Sequence, residues 1–571
     1  MLTQLFTKNS HNFSSATKYA IIIGGFVLGF AFFFRAQLLS KFDLLFGDRG
    51  DARFVLFVHE HVFRALLGRS DFLSPPYFYD VTRTLGFSDA LLLNQIIYAP
   101  IRGLGADPYL ALLLTIMTLS IASYGFLYGL LRRFGRVPVI IAVFASFTFT
   151  FANNLFVNAN HLQLFAIYYI PAVAYLSILA ITEIHKQKTI SLIAAGIAGL
   201  LYGLLLATEF YIAWFFGISI IIFSLTFIGV SWRAARAWFV ADPIRVGMLG
   251  FAFVNGFVFG LIPFTSIYVP VYLGGSRNFN EYLETAPTFT DIANVGLNFV
   301  WGDLFEKIGF LSHEQILSSH EQILSAERRF AITPTLQLLV LLSLLAALRP
   351  QHWALLKSNE LKRASIIAGA TVYFALFLFT IKISEHSIFL IFFKFVPGGS
   401  AIRAGYRAML VANFFVVISV AIAITSISSV LLRQSAEVQK VRLARASIVA
   451  LMVLAVVEQL NLTQGSLVSR TFERSHLANI STAPPECRCF YIAGEPTQPA
   501  TEVQLDAMLI AQRIGIPTIN GYSGVFPAKW ELYDTAAANY EHNAWVWAVS
   551  HGIDVGLCRL DLAHGTFTEI H

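Results

Sequence analysis

The chain has 571 residues, of which 56% are hydrophobic and 13% are charged, and its mean hydropathy is +0.65. Soluble domains carry about 25% charged residues, so the composition excludes a soluble globular protein. Apolar stretches of about 20 residues, the length that crosses a bilayer, recur along most of the chain and indicate a polytopic helical membrane protein. The net charge of +6 is spread over separate clusters, so no nucleic-acid-binding face is predicted.

About 11 membrane-spanning helices are predicted from these apolar stretches. The first is interpreted as an anchor rather than a cleaved signal peptide, because its apolar core is long and no small-residue cleavage site follows it. The predicted spans lie near residues 18–37, 108–131, 138–155, 162–182, 189–207, 211–230, 247–269, 332–348, 364–382, 407–430 and 446–461.

Clusters of lysine and arginine recur after every second span, at residues 132–136, 186–188, 233–245, 349–363 and 433–445. The positive-inside rule assigns such clusters to the cytoplasmic side. The sequence therefore predicts a multi-pass protein of the inner (plasma) membrane, with a cytoplasmic N-terminus and an extracytoplasmic C-terminus. The apolar segment 387–396 is too short to span, so residues 383–406 are expected at the outer face as a re-entrant or interfacial segment.

Three larger regions are predicted to lie outside. Two are loops of the transmembrane domain (residues 1–461), at 38–107 and 270–331, and the third is the tail 462–571. The tail contains CFYIAG, typical of a short buried strand, and EVQLDAMLIAQRIG, typical of an amphipathic helix that ends at Gly515. A small extracytoplasmic α/β domain is therefore predicted for the tail.

All three cysteines lie in this tail. An extracytoplasmic location permits a disulfide. We predict a bond between Cys558 and either Cys487 or Cys489, which leaves one thiol unpaired. A Cys-x-Cys redox or metal site is the alternative, but no histidine ligand pattern accompanies it.

The segment FGDRGDARFVLFVHEH, residues 46–61, places a dense group of titratable side chains directly after the first span. The candidates within it are Asp48, Asp51, His59, Glu60 and His61. One interpretation is structural, because aspartates end one helix and cap the next. The other is functional, because titratable clusters in a cleft are typical of active sites. In a helix over 51–63, Asp51 shares a face with His59.

The segment KFVPGGSAIRAGYR, residues 394–407, carries Lys394, Arg403 and Arg407 at the outer end of a span, against the positive-inside bias. Arg403 and Arg407 are spaced i, i+4, so on a helix they point the same way. Pairs of guanidinium groups bind phosphate in bidentate fashion. An anionic ligand is therefore favoured over the alternative, in which these side chains snorkel to the interface.

Other polar residues near the outer face are candidates for substrate contacts. His161 lies in NNLFVNANHLQ and Glu209 in TEF, and an ionisable residue beside a span is a functional hypothesis unless the turn is simply solvated. Tyr522, in the tail loop INGYSGVFPAKW, offers an aromatic face on which a sugar stacks, although a packed loop has the same composition. Glu327 and the segment 301–303 are weaker candidates, because such residues are more often structural.

Several motifs are absent from the sequence. There is no Walker-type loop, dinucleotide fingerprint, HExxH or GxSxG, so nucleotide hydrolysis and redox chemistry with a soluble cofactor are not predicted. No cofactor is assigned: the histidines of HEH suggest a divalent metal, but adjacent helical positions do not converge on one ion. The tandem SHEQILS at 312–318 and 319–325 is interpreted as a neutral insertion in an outer loop.

This layout resembles the GT-C superfamily of membrane glycosyltransferases. It shares with them an inside N-terminus, a first span and an acid pair that opens a large outer loop, here Asp48 and Asp51. The chain is also similar to bacterial YfhO-like membrane proteins, through a proline followed by R-x-x-x-R near the outer end of a late span, here Pro397, Arg403 and Arg407. It departs from the oligosaccharyltransferases of the superfamily, because its tail has no WWDYG.

The resemblance implies an enzyme that takes a sugar from a polyprenyl-phosphate or dolichyl-phosphate carrier on the outer face. The expected reaction is inverting transfer to a glycan or lipid acceptor of the cell envelope, with Asp51 or Asp48 as the general base. Arg403, Arg407 and Lys394 are expected on the donor phosphate. The remaining substrate-binding candidates are His59, Glu60, His61, His161, Glu209 and Tyr522. The alternatives are a transporter or flippase of a lipid-linked glycan and a non-catalytic envelope assembly protein.

Overall fold

The structure, a computed structural model, describes residues 14–272, 277–311, 327–349, 360–431, 438–462, 465–493 and 498–569. Both copies of the SHEQILS repeat lie outside the described residues. The helices of the first half are α1 (Ser15–Phe33), α2 (Arg35–Leu39), α3 (Asp51–Leu66), α4 (Gln95–Gly103), α5 (Pro108–Arg133), α6 (Val139–Thr150), α7 (Asn153–Phe156), α8 (Ile170–Glu183), α9 (Lys188–Leu206), α10 (Phe210–Val230), α11 (Trp232–Ala241) and α12 (Pro243–Tyr272).

The second half continues the same helical pattern and adds the tail. Its helices are α13 (Phe279–Thr285), α14 (Gly302–Lys307), α15 (Pro334–Leu348), α16 (Glu360–Thr380), α17 (Phe389–Phe395), α18 (Ala408–Leu431), α19 (Val438–Val457), α20 (Arg470–His476), α21 (Ala500–Ile514) and α22 (Tyr540–Ser550). The strands are β1 (Leu44–Phe46), β2 (Lys382–Ile383), β3 (His386–Ser387), β4 (Leu467–Ser469), β5 (Cys489–Ala493), β6 (Leu557–Asp561) and β7 (Thr566–Glu569).

Within the described residues, nine helical segments are long and apolar enough to cross a membrane. They are Ser15–Phe33, Pro108–Arg133, Val139–Phe156, Leu162–Glu183, Lys188–Leu206, Phe210–Val230, Pro243–Tyr272, Glu360–Thr380 and Gly405–Ser429. The other two predicted spans are helical as well, but α15 has only 15 residues and α19 begins inside a basic cluster. The prediction of a mainly helical, polytopic membrane protein is confirmed.

The helices α9 and α12 approach each other through rows of glycine. These are Gly196, Gly199 and Gly203 on α9, and Gly256 and Gly260 on α12. A Cβ added at Gly256 would lie 1.9 Å from the Gly196 carbonyl oxygen, and one at Gly199 would lie 2.1 Å from that of Phe253. Lipid is as apolar as the side chains, so close backbone packing of this kind holds membrane helices together.

Residues 381–407 connect α16 to α18 without a spanning helix. A hairpin of the two-residue strands β2 and β3 leads into the seven-residue α17. Gly398 then takes a φ of +80°, a left-handed conformation that glycine adopts without steric strain. Arg403 lies in an irregular stretch, whereas Arg407 ends a 3₁₀ turn over Gly405–Arg407, so the two arginines do not share a helix as the i, i+4 spacing suggested.

The tail forms the predicted α/β unit. Its three-stranded sheet has the order β5-β6-β7, with β5 and β6 parallel and β6 and β7 antiparallel. The helix α21 ends at Gly515, whose φ of +80° closes the helix as predicted. A disulfide joins Cys487 to Cys558, and Cys489 is the buried free thiol, which decides between the two pairings that the sequence leaves open.

The tail packs directly on the first outer loop. The strand β1 pairs antiparallel with β4, so the entry to the tail is hydrogen-bonded to the segment that follows α1 and α2. Further along, the Phe78 N–H donates to the Asn520 carbonyl and the Tyr79 N–H to the Thr518 carbonyl, both at 3.0 Å. The two regions therefore share backbone pairing at two separate places.

A buried ion-pair network joins α3 to the tail. Arg53 is 1% exposed and pairs with Glu473 (Nε to Oε2, 2.9 Å) and with Asp506. Arg49, one turn before it, pairs with Glu473 (2.6 Å) and Glu502. Arg49 and Arg53, which lie in the same segment as the candidate acids Asp48 and Asp51, thus join that segment to the tail.

We expect Gly256→Ala to lower the melting temperature of the detergent-solubilised protein. The added methyl group meets backbone that cannot move aside, and overpacking of this kind typically costs about 1–3 kcal/mol. Gly250→Ala on the same helix is the matched control, because a Cβ there has nothing within 4 Å. Equal melting temperatures for the two variants would contradict the glycine contact.

We expect Arg53→Ala to destabilise the protein by about 3–5 kcal/mol, because it removes the buried cation that Glu473 and Asp506 share. Arg559→Ala is the control: its 2.8 Å pair with Glu541 is solvent-exposed and is expected to contribute about 1 kcal/mol or less. Thermal unfolding of both variants, followed by tail-specific proteolysis, measures the difference. A tail equally protected in both variants would show that the network does not hold it.

Candidate active site

Asp51 is the centre of the candidate site. It is the first residue of α3, and its side chain keeps 30% of its surface accessible. Its Oδ2 lies 2.7 Å from His161 Nδ1, and its Oδ1 accepts a 3.2 Å hydrogen bond from the Tyr522 hydroxyl. Three of the residues singled out in the sequence, from the first loop, the turn before the fourth span and the tail, therefore meet at one carboxylate.

The contacts continue from His161 to an arginine. His161 Nε2 lies 3.8 Å from Glu327 Oε1, and Arg407 binds both oxygens of Glu327, at 2.9 Å through Nε and 2.5 Å through Nη2. Burial raises the pKa of Glu327, but Arg407 and then His161 outweigh it and lower that pKa to about 2. Glu327 is thus a firmly ionised partner of Arg407, and the weaker sequence candidate is central to the site.

Asp51 and Asp48 differ in how easily they ionise. Burial raises the pKa of Asp51, but the hydrogen bond and charge of His161 outweigh it, so that the pKa falls to about 2. Burial and the neighbouring charge of Asp51 raise the pKa of Asp48, although Asp48 accepts a 2.9 Å hydrogen bond from the Gly50 N–H. Asp51 is therefore the carboxylate that is ionised and held in place.

A second acidic pair, Asp89 and Glu209, lies near enough to Arg407 to interact with its charge. Asp89 accepts a 3.2 Å hydrogen bond from the Phe210 N–H, and Glu209 accepts a 2.5 Å bond from the Ile212 N–H, so both carboxylates cap the start of α10. Burial raises the pKa of Asp89 to about 6, and burial and the charge of Asp89 raise that of Glu209. Glu209 is 1% exposed, so it is not the solvated turn residue that the sequence allowed.

Arg403 provides an accessible cation beside these acids. Arg403 is only partly buried, and its charge acts on Glu327. Its backbone N–H donates a 2.9 Å hydrogen bond to the Tyr211 hydroxyl. Within the described part of the chain, the Arg403 guanidinium has no hydrogen-bond partner. The Arg407 guanidinium lies over the Tyr211 ring, with its Cζ 5.4 Å from the ring centroid.

The side chains of His59, Glu60 and His61 pack against neighbouring residues of the protein. His59 Nδ1 contacts the Val55 carbonyl at 2.8 Å, and His61 Nε2 contacts the Phe72 carbonyl at 3.1 Å. Glu60 forms an ion pair with Arg102, Nε to Oε2 at 2.7 Å. Burial lowers the pKa of both histidines to about 4. These residues lie on the enclosed faces of α3, and no described contact joins them to the Asp51 group.

Lys394 lies on the short helix α17, where it is exposed to solvent. No described contact links it to Arg403 or Arg407, because the turn at Gly398 intervenes. Asp89 and Tyr211, by contrast, belong to no motif in the sequence. Their only signal is a polar side chain between apolar residues, as in SDALLL, which many structural residues share.

The described residues contain no group of three or more His, Cys, Asp or Glu side chains arranged to hold a metal ion. Both oxygens of Glu327 are bound by Arg407, and both ring nitrogens of His161 face carboxylates. In this arrangement the groups nearest Asp51 do not fit a divalent cation. The chemistry proposed below therefore uses side-chain charges alone.

No protein-family model and no curated protein matches the chain. Its fold is similar to solved oligosaccharyltransferases of Archaeoglobus fulgidus. The apo form is 14% identical with a TM-score of 0.49, over 95% of this chain and 70% of that one. The form tethered to an acceptor peptide is 13% identical with a TM-score of 0.48, over 95% of this chain and 69% of that one. AglB in complex with an inhibitory peptide and a dolichol-phosphate is 13% identical with a TM-score of 0.48, over 96% of this chain and 70% of that one. At these values the similarity concerns overall arrangement and carries no statement about chemistry.

We expect Asp89→Asn to stabilise the protein more at pH 8 than at pH 5. The folded-state pKa of Asp89, about 6, lies above its unfolded value, so the native state loses stability as the pH rises through 6 and the carboxylate ionises. Asparagine stays neutral and still accepts the Phe210 N–H. Melting temperatures at the two pH values test this, with the exposed Asp71→Asn as control. A difference that does not grow with pH would contradict the assignment.

Proposed function

We propose that this chain is an integral-membrane glycosyltransferase that moves a sugar from a polyprenyl-phosphate donor to a glycan or lipid acceptor on the extracytoplasmic face. One observation carries the proposal. A partly accessible carboxylate, Asp51, is ionised and fixed by His161 and Tyr522. Contacts continue from His161 through Glu327 to Arg407. The charge of Arg403 acts on Glu327, and its guanidinium has no hydrogen-bond partner among the described residues.

The position of the cleft fits a lipid-linked substrate. Arg407 and Glu209 stand at the starts of the apolar helices α18 and α10, and Asp51 follows the first apolar helix after a short connection. The site therefore lies where membrane helices end, at the level of a lipid phosphate. Helix N-termini carry a partial positive charge, which favours an anion there.

The proposed reaction is a single displacement. The acceptor hydroxyl oxygen attacks the anomeric carbon while the bond from that carbon to the phosphate oxygen breaks, and the proton of the hydroxyl passes to Asp51. A carboxylate with a pKa of about 2 is a weak base, so the proton moves late, when the new bond has made the hydroxyl acidic. Until then, Asp51 orients the hydroxyl by accepting its hydrogen bond.

The two arginines have different roles in this proposal. Arg403 contacts the donor phosphate and stabilises the charge that develops as the phosphate leaves. Arg407 is already bound in bidentate fashion by Glu327, so it serves as a fixed positive charge that positions Glu327 and, through it, His161. Lys394 is exposed and distant from these contacts, and we assign it no part in binding the phosphate.

We expect Asp51→Asn to abolish transfer, with a loss of about 10²–10⁴-fold, because the variant keeps the shape but not the base. The measurement is mass spectrometry of polyprenyl-phosphate sugars and envelope glycans in a deletion strain that carries each variant at equal protein level. One glycan residue is expected to be missing in the deletion strain and in Asp51→Asn, and its donor lipid is expected to accumulate.

Asp48→Asn is the matched control, because Asp48 is a neighbouring carboxylate that lacks the His161 and Tyr522 hydrogen bonds. It is expected to restore most of the glycan. If Asp51→Asn restores the glycan as well as the wild type does, the carboxylate is not the base, and a flippase or a non-catalytic assembly role is favoured instead.

A further inference from the structure

The acidic pair Asp89 and Glu209 is not used by the proposed reaction, and its local contacts do not account for it. Each carboxylate accepts one backbone N–H at the start of α10. An uncharged serine, threonine or asparagine does this equally well, so capping alone does not require two neighbouring acids. Burying like charges side by side is unfavourable unless a further partner offsets it.

One carboxylate oxygen of the pair also lacks a hydrogen-bond partner among the described residues. Glu209 is 1% exposed, its Oε2 holds the Ile212 N–H, and its Oε1 has no hydrogen-bond partner within the described residues. Asp89, whose charge acts on Glu209, is only partly buried, and its Oδ1 accepts the Phe210 N–H. The nearby cation, Arg407, has two of its nitrogens bound to Glu327. The acidic pair therefore offers acceptor oxygens that no described side chain fills.

The surroundings place these oxygens next to the proposed phosphate site. Tyr211 follows Glu209 by two residues, and its hydroxyl accepts a hydrogen bond from the backbone N–H of Arg403. On the opposite side, Gly524 of the tail loop lies so close that a Cβ there would come within 3.2 Å of the Phe87 carbonyl oxygen. The tail loop that brings Tyr522 to Asp51 thus also borders the segment that carries Asp89.

From this arrangement we infer that Asp89 and Glu209 bind hydroxyl groups of the sugar that is transferred, and so select the donor. The inference rests on the proposed function. Carboxylate oxygens accept hydrogen bonds from O–H donors, and a sugar ring presents neighbouring hydroxyls at a spacing that two acceptor groups can match. The sugar would lie between the Arg403 phosphate contact and Asp51, with the acidic pair along its edge.

The test uses the full chain purified in detergent as Asp51→Asn, which keeps its donor unreacted if the proposed function is right. Native mass spectrometry measures the ratio of bound glycosylated polyprenyl phosphate to bound bare polyprenyl phosphate. Adding Asp89→Asn or Glu209→Gln is expected to lower this ratio about tenfold or more, because each substitution replaces a carboxyl oxygen that accepts a sugar hydroxyl by an amide NH₂ group, which cannot accept. Binding of added polyprenyl phosphate without a sugar is expected to stay unchanged.

Glu458→Gln in the same Asp51→Asn background is the control. Glu458 is also a fully buried carboxylate, but it is held by Trp301 (2.5 Å) and Thr335 outside the cleft. It is expected to leave the ratio unchanged. Should Glu209→Gln lower the melting temperature markedly, Asp89→Asn alone decides, because its asparagine keeps the Phe210 hydrogen bond.

Two different failures are distinguishable. If Asp51→Asn binds glycosylated lipid and both added substitutions leave the ratio unchanged, the acidic pair does not hold the sugar, and the proposed function stands without it. If Asp51→Asn retains no glycosylated polyprenyl phosphate while it still binds added polyprenyl phosphate, the proposed function is overturned, and the inference falls with it.

Discussion

The docking of the tail on the first outer loop is the constraint on which the rest of the site depends. Tyr522 reaches Asp51 only because β4 pairs with β1 and because Arg53 binds two tail carboxylates beneath the pairing. A buried cluster of one arginine and two acids is stable only when all three residues are present. Losing one of them leaves an unpaired charge in a medium of low dielectric constant. The network therefore specifies a single docked arrangement of loop and tail.

That arrangement gives the cleft its electrostatic character. Acids from the first loop, from the start of α10 and from the segment before α15 surround Arg407, and each is fixed by a neighbour. Where a cation or imidazole is close, as at Asp51 and Glu327, ionisation is favoured, whereas the acids without such a partner hold their protons more tightly. Differences of this kind are what the proposed reaction requires, since it assigns neighbouring groups the separate roles of base, positioning pair and hydrogen-bonding groups for a substrate.

The features of this protein that could be predicted from sequence are those with a local cause. The spans were predicted from the length of the apolar stretches, and β5 from a short apolar run. The helix α21 was predicted from its amphipathic pattern and terminal glycine, and a disulfide to Cys558 from the extracytoplasmic location predicted for the tail. Asp51, His161 and Tyr522 were singled out as candidates because each is polar beside an apolar span or within a turn-rich loop. Their contact with one another depends on packing over hundreds of residues, which no local pattern encodes.

The surroundings of other side chains could not be predicted from the sequence for the same reason. His59, Glu60 and His61 have the composition of a site, but the faces of α3 on which they lie are covered by Asn94, Tyr98 and Arg102. The i, i+4 spacing places Arg403 and Arg407 on one face only if both lie on the same helix. Arg403 lies before the 3₁₀ turn that contains Arg407, so they do not. Asp89 gave no signal, because a single acid between apolar residues is usually structural, and only its proximity to Glu209 and Arg407 distinguishes it.

The most direct test of the account is a cryo-electron microscopy structure of the full chain with polyprenyl phosphate bound. The account predicts the lipid phosphate within hydrogen-bonding distance of the Arg403 guanidinium, in the cleft that Asp51 faces, with Arg407 still bound to Glu327. A phosphate bound elsewhere on the molecule, with the cleft between Arg403 and Asp51 closed by protein side chains, would contradict it.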